Sequence, residues 1–331
     1  MTGTAAPYAD LTPERVLDAV DAVGLRSDGR LLQLNSFENR VYLVGLDDGA
    51  QCVAKFYRPA RWTDAAIVEE HDFCAELVAQ EIPAVAPLRL AGATLHRSAA
   101  LPAHRYALFP RQGGRSPELE DEAALEWLGR YLGRIHAVGA AQRYRARPTL
   151  DVDSYGVEAR DAIVAGDWLP PEVRTAWIDA ADRALDEARR VWARAGDVRT
   201  LRLHGDCHVG NVLWTDGGPH FVDFDDSRMG PAVQDLWMLL TGEGAQLRAQ
   251  LAALLRGYRV FADFDRRELL LVEALRTLRL VHYSAWIARR WHDPAFPAAF
   301  PWFGSARYWQ ERTAELRAQL DAMREPPLLA D

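Results

Sequence analysis

Three cysteines in 331 residues, Cys52, Cys74 and Cys207, are too few and too scattered for a disulfide framework, which points to a reducing compartment and a cytoplasmic protein. No stretch approaches the roughly 20 uninterrupted apolar residues of a membrane span, and residues 1–10 lack the basic and apolar regions of an export signal. Neither export nor membrane insertion is expected. A Lys/Arg-rich block is also missing: 39 basic side chains face 47 acidic ones, for a net charge of −8, and nucleic acid is not an expected partner. There is no internal repeat and no low-complexity segment. What is present, 49% hydrophobic and 26% charged residues, is the composition of a folded enzyme, expected to work as a monomer.

The length suits two lobes with a cleft between them, since compact domains cluster around ~100–200 residues. After a short helix around Glu14 to Val23, Leu31 to Arg58 reads as strands. Residues 40–44 and 51–57 form a hairpin about the turn Asp47-Asp48-Gly49. Thr63 or Asp64 can cap a helix running to about Gln80, and further extended segments are expected near Leu88–Leu95 and Tyr106–Phe109. Gly-rich residues 111–117 have little helix or strand potential, which suits a connection between lobes. The boundary is placed there, giving an N-lobe of residues 1–111 and a C-lobe of residues 112–331. In the C-lobe Leu125, Leu128, Leu132 and Ile135, and later Leu271, Leu275 and Leu278, recur at helical steps, the later run opening on a capping box, Asp265 to Glu268. The fold class expected is α+β, with a small antiparallel sheet and one helix in the first lobe and a larger, mainly helical second lobe.

Leu203-His204-Gly205-Asp206-Cys207-His208-Val209-Gly210-Asn211 and Phe221-Val222-Asp223-Phe224-Asp225-Asp226 carry the chemistry. Transfer of a phosphoryl group needs a carboxylate to orient or deprotonate the attacking hydroxyl and oxygen ligands for Mg²⁺. Asp206 fits the first role and Asn211 and Asp223 the second, with Asp225 as an additional neighbour of the metal. A short strand, a turn at Asp216-Gly217-Gly218 and a second strand would return Asp223 to Asn211. Upstream, Lys55 shares a strand face with Val53 and Tyr57, where a cation on rigid backbone can reach ATP phosphates. On the next helix Ile67, Glu70, Cys74 and Leu77 fall on one face, so Glu70 points inward and Glu69 does not. An inward carboxylate needs a partner, and a Lys55–Glu70 ion pair would supply one; the alternative is a Glu at the helix edge bonded to local backbone. The turn at residues 34–40 has no glycine, so Ser36 and Asn39 would have to cover the phosphates with side-chain hydrogen bonds.

Other features have plainer readings. His204, Cys207 and His208 include zinc-ligand types, but no second ligand pair accompanies them, and His204 reads better as a buried brace of the loop. Asp235 can cap a helix or bond back to the loop of Asp206. The aromatic-rich C-terminal region, including Trp286, Trp291, Trp302 and Trp309, reads as helical core rather than as a cleft lining.

These strings resemble the aminoglycoside phosphotransferase and choline kinase-like branch of the protein-kinase fold, over nearly the whole chain. The likeness runs through residues 34–42, 55–59, 201–208, 230–240 and 293–297, and it is strongest toward bacterial Ser/Thr protein kinases of that branch. The resemblance implies a cytoplasmic Ser/Thr protein kinase active in stress responses, with ATP as donor. It implies Asp206 as catalytic base, Asn211 and Asp223 as Mg²⁺ ligands, Lys55 and Glu70 as the phosphate-anchoring pair and Ser36 in the ATP-covering loop. The adenine-binding hinge would lie near Leu108–Arg111, which includes Phe109. His204-Gly205-Asp206 stands where eukaryotic-type kinases have H-R-D, and an A-P-E element is missing, so control through a phosphorylated activation loop is not expected. Two rivals remain at this point: a kinase acting on a small amino alcohol, amino acid or sugar-like hydroxyl, and a non-catalytic nucleotide-binding module.

Overall fold

The computed structural model describes residues 7–327, which divide into two compact units. The first comprises the chain up to Pro117 together with Tyr144–Arg147 and Val209–Ser227. The second comprises Glu118–Arg143, Pro148–His208 and the chain from Arg228 onward. The chain therefore returns to the first unit twice, which a single boundary at residue 111 does not describe.

In the first unit, helix α1 (Pro13–Asp21) starts at an N-cap Thr12 followed by Pro at the first helical position, a combination that fixes a helix start. Strands β1 (Ser27–Gln33), β2 (Arg40–Leu46) and β3 (Gln51–Phe56) follow, with Gly49 supplying the positive φ that the hairpin turn between β2 and β3 requires. Helix α2 (Asp64–Ala79) is capped by the Thr63 hydroxyl, which accepts from the Ala66 N–H. Strands β4 (His96–Ser98) and β5 (Leu101–Pro110) complete an antiparallel sheet of order β1-β2-β3-β5-β4. Within residues 88–95, expected to be extended, Leu88 donates to the Leu108 carbonyl of β5, but a tight turn follows in which Leu90 pairs with Ala93 across Ala91 and Gly92, both at positive φ.

The sheet has two dissimilar faces because side chains alternate along each strand. Val44, Ala54, Phe56, Tyr106 and Leu108 pack with Val16, Ala19 and Val20 of α1 in one core. On the other face Tyr57 and Ala107 pack with Ile67 of α2, bordered by Phe109. Val53, Lys55 and Phe109 lie on this second face, with Val53 opposite Phe109 and Lys55 opposite Ala107. Arg115, in the Gly-rich stretch read as a connection, exchanges backbone hydrogen bonds with Trp214 and so extends the first unit.

The second unit is mainly helical: α3 (Glu122–Gly139), α4 (Glu158–Ala165), α5 (Pro171–Ala195), α6 (Val233–Trp237), α7 (Gly244–Tyr258), α8 (Leu271–Arg289), α9 (Ala295–Ala299) and α10 (Ala306–Ala322). A two-stranded ladder joins β6 (Leu201–Arg202) to β9 (Met229–Gly230), while β7 (Val212–Thr215) and β8 (Gly218–Phe221) form the hairpin belonging to the first unit. Helices α3 and α7 meet through glycines: a Cβ on Gly129 would overlap the Leu254 carbonyl, and one on Gly257 the Glu126 carbonyl. The aromatic residues near the C-terminus are core only in part: Trp309 is fully buried edge-on to Trp177 and Phe296 is buried against Trp286, whereas Trp286 and Trp291 are half-buried and Tyr283 and Trp302 exposed. The expected capping box does not close. Asp265 caps the turn before α8 by accepting from the Arg267 N–H, but Glu268 is buried and accepts from the Val233 N–H instead.

Candidate functional site

Hairpin β7–β8 brings Asn211 beside Asp223 in the first unit. Val212 pairs with Phe221, and one step further the Val222 N–H donates to the Asn211 carbonyl at 3.0 Å. Asp223 then turns left-handed (φ 59°, ψ 63°), a conformation uncommon for a non-glycine residue and concentrated at functional sites. The turn leaves the Asp223 carboxylate half exposed and sends the next residues inward, so that Phe224 and Asp225 are buried.

Lys55 reaches this pair from the centre of the sheet. Its ammonium is 2.8 Å from Asp223 Oδ1 and 3.4 Å from Asp225 Oδ1. Burial works against the charge of Lys55, but Asp223 and Asp225 outweigh it and hold the ammonium pKa well above its ordinary value. Asp225 is likewise disfavoured as an anion by burial, and Arg61 and Lys55 pull its pKa below the usual carboxylate range. Arg61 forks between Asp225 Oδ2 and Asp226 Oδ1. Asn39 donates to Asp225 Oδ2 at 3.1 Å and accepts from the Arg58 N–H, so its amide braces the acidic turn, a different task from the expected contact with phosphate. Arg58 fixes the residue 34–40 turn by donating to the Phe37 and Glu38 carbonyls. Ser36 is on that turn and half-buried.

Glu70 is buried as the helical spacing predicts, yet its ion pair is with Arg147 at 3.2 Å, and not with Lys55. Arg147 outcompetes Lys55 because its fork also donates to the Ala66, Asp225 and Ser227 carbonyls, so one side chain satisfies four acceptors. Burial pushes the Glu70 carboxyl up, to about 7, against the opposing pull of Lys55 and Arg147. Glu69 takes the backbone N–H groups of Arg145, Ala146 and Arg147, which explains why the chain returns to this unit at residues 144–147.

In the second unit, the loop of Asp206 hangs from Asp235. That buried carboxylate accepts from the His204 N–H at 2.7 Å, the Gly205 N–H at 2.8 Å and His136 Nε2 at 3.0 Å. Of the two roles open to Asp235, bonding back to the loop is the one found. Gln234 adds a bond to the Gly205 carbonyl, and His136 is steadied by the Tyr258 hydroxyl. His204 and Cys207 are fully buried, and burial raises the Cys207 thiol pKa well above its ordinary value, so it packs as a small apolar group. Asp206 itself is ion-paired to Arg279 of α8 at 2.7 Å, with His208 Nε2 3.5 Å from its other oxygen.

Asp223, Asp225 and the neighbouring Asn211 are of the oxygen-donor type that a hard divalent cation takes, while Lys55 engages Asp223 Oδ1 and, among the described residues, no three His, Cys, Asp or Glu side chains are gathered as a metal site. Asp223 presents a solvent-reachable carboxylate beside Asn211, and Asp225 Oδ1 is buried without a hydrogen bond. Sequence reasoning missed Arg61, Arg147 and Arg279, because single residues scattered among 39 lysines and arginines carry no periodic signature, and it missed His136, one of nine histidines, for the same reason. One signal was available for Lys55: it is the only lysine in the chain.

The phosphotransferase enzyme family profile matches residues 30–272. Stress response kinase A of Escherichia coli K12 is 44% identical over 99% of this chain and 98% of its own. A Salmonella typhimurium relative, serine/threonine protein kinase RdoA, is also 44% identical over the same shares. Among solved structures, an amicoumacin kinase in complex with AMP-PNP, Ca²⁺ and Ami superposes with a TM-score of 0.72 at 18% identity, over 97% of this chain and 96% of that one. The small antiparallel sheet, the helical unit and this likeness bear out the expected protein-kinase-like α+β fold.

Proposed function

The chain belongs to the phosphotransferase enzyme family, and on that premise we propose that it transfers the γ-phosphoryl group of ATP, with Mg²⁺, to serine or threonine hydroxyls of a protein during a stress response. The observation that carries this reading is the Lys55 ammonium lying against Asp223 and Asp225 beside Asn211. A buried cation on a rigid strand next to hard oxygen donors suits a triphosphate and its metal.

Lys55 anchors phosphate oxygens, and Asn211 and Asp223 hold Mg²⁺, with Asp225 as a further oxygen close by. When bound, the metal neutralises charge on the β- and γ-phosphates. Asp206 accepts the hydroxyl proton, and Asp235 keeps its loop in register by holding the His204 and Gly205 amides. Ser36 covers the phosphates from the 34–40 turn, while Val53 and Phe109, on one sheet face with Lys55, contact the base. Glu70 acts on Lys55 through charge at a distance, its direct partner being Arg147.

Support for a protein acceptor comes from the name of one relative, a serine/threonine protein kinase at 44% identity over nearly the full chain, and support for the stress setting from the stress response kinase at the same identity. The amicoumacin kinase carries AMP-PNP and a divalent cation, which supports a nucleotide and metal here. The test incubates the purified protein with radiolabelled ATP and Mg²⁺, alongside dephosphorylated protein extract or a panel of amino alcohols, amino acids and sugars. Label in phosphoserine or phosphothreonine is expected, and its loss in Asp206→Asn. Label confined to a metabolite would replace the protein acceptor with a small molecule, and no transfer at all would leave a binding module.

A further inference from the structure

We propose that the acceptor is an acidic segment of a protein, laid along the open face of α8 and read by Arg279. The inference rests on the Ser/Thr kinase reading above and deepens it. Most of α8 is buried, but Arg276, Arg279, Tyr283, Trp286 and, at the cap, Arg290 recur at three- and four-residue steps and none of them is buried. The Arg276 guanidinium lies over the Trp237 ring, Tyr283 and Trp286 stack at 5.8 Å, and Arg290 lies over Trp286. Three guanidinium groups and two flat rings make one stripe, in which Arg276 already meets the Glu273 carboxylate and Arg279 that of Asp206. Glu273 sits at the stripe's end.

The stripe touches the candidate base, since Arg279 Nη1 is 2.7 Å from Asp206 Oδ1. A cationic acceptor would bring its charge up to Arg279 and be repelled. A carboxylate flanking a serine or threonine does the opposite: it offers Arg279 a second partner and frees an Asp206 oxygen for the hydroxyl. Arg276 and Arg290 extend the same preference along the chain of the acceptor, and the stacked rings give it a flat surface at low entropic cost.

The test compares phosphorylation of a serine peptide flanked by Asp and Glu, the same peptide flanked by Lys and Arg, and ethanolamine, using the full chain with Mg-ATP. The acidic peptide should lead in kcat/KM by about ten-fold or more, with KM rising as salt is added. Arg279→Glu should abolish or reverse that preference through KM while ATP affinity is unchanged, and Arg279→Lys should keep most of it. Equal use of the two peptides, or a preference surviving Arg279→Glu, overturns the inference and leaves the protein-kinase reading standing. Label in ethanolamine and neither peptide overturns both.

Discussion

Lys55 Nζ stands 2.8 Å from Asp223 Oδ1, and the buried Asp225 carboxylate lies 3.4 Å from the same ammonium. Removing the cation strands two carboxylates, one of them buried. Lys55→Ala is expected to cut turnover by about 10³-fold and lower stability by roughly 2–4 kcal/mol. Lys55→Arg should not restore turnover, because a planar fork cannot replace a compact ammonium at this depth. Phosphoryl-transfer rates and urea unfolding measure the two effects separately.

Asp206 and Asp223 should fail differently. Asp206→Asn is expected to leave Mg-ATP affinity within about two-fold of the parent while transfer falls by about 10³ or more. Asp223→Ala should weaken Mg-ATP binding as well as abolish turnover. Calorimetric titration with a non-hydrolysable analogue separates them, and equal binding losses in both variants would contradict the roles assigned.

Glu268 supplies a pH test away from the phosphates. Burial pushes its carboxyl up to about 7, so the folded state holds a proton that the unfolded state, with its ordinary value near 4.5, releases. Its contribution is therefore complete below about pH 4.5 and lost as pH rises through about 7. Over that window the parent should lose up to about 1.4 kcal/mol per pH unit from this group, and Glu268→Gln should remove the slope. Denaturant unfolding of the pair at several pH values decides, with unchanged slopes speaking against the assignment.

Gly129 and Gly257 let α3 and α7 approach until each backbone blocks a side chain on the other. Gly257→Ala should destabilise by about 3 kcal/mol or more, although alanine favours helix in isolation. Thermal unfolding would show a fall where helix propensity alone predicts a gain.

Local patterns made much of this chain legible. The Thr63 cap, the hairpin turn at Gly49 and the inward face carrying Glu70 follow from spacing that acts within a few residues. The order Asp206, Asn211, Asp223 was visible because chemistry restricts residue type as well as position. Pairings set by competition over long separations were not visible. Glu70 chose Arg147, 77 residues away, because that guanidinium has three carbonyls to satisfy at the same spot. Glu268 left its own cap for the Val233 amide, 35 residues back, for the same kind of reason. The amide of Asn39 was drawn to Asp225, since a buried carboxylate offers a stronger acceptor than solvent.

That Lys55 is the sole side-chain amine turns the phosphate anchor into a natural single-point reporter. An amine-directed nucleotide affinity label has one lysine to find, and because that ammonium is buried and held protonated by Asp223 and Asp225, only a reagent the site itself binds should reach it, so the mass added to the peptide containing residue 55 reports entry to the site. Donor analogues or inhibitors can then be ranked by how well they shield that one nitrogen, before any acceptor is known.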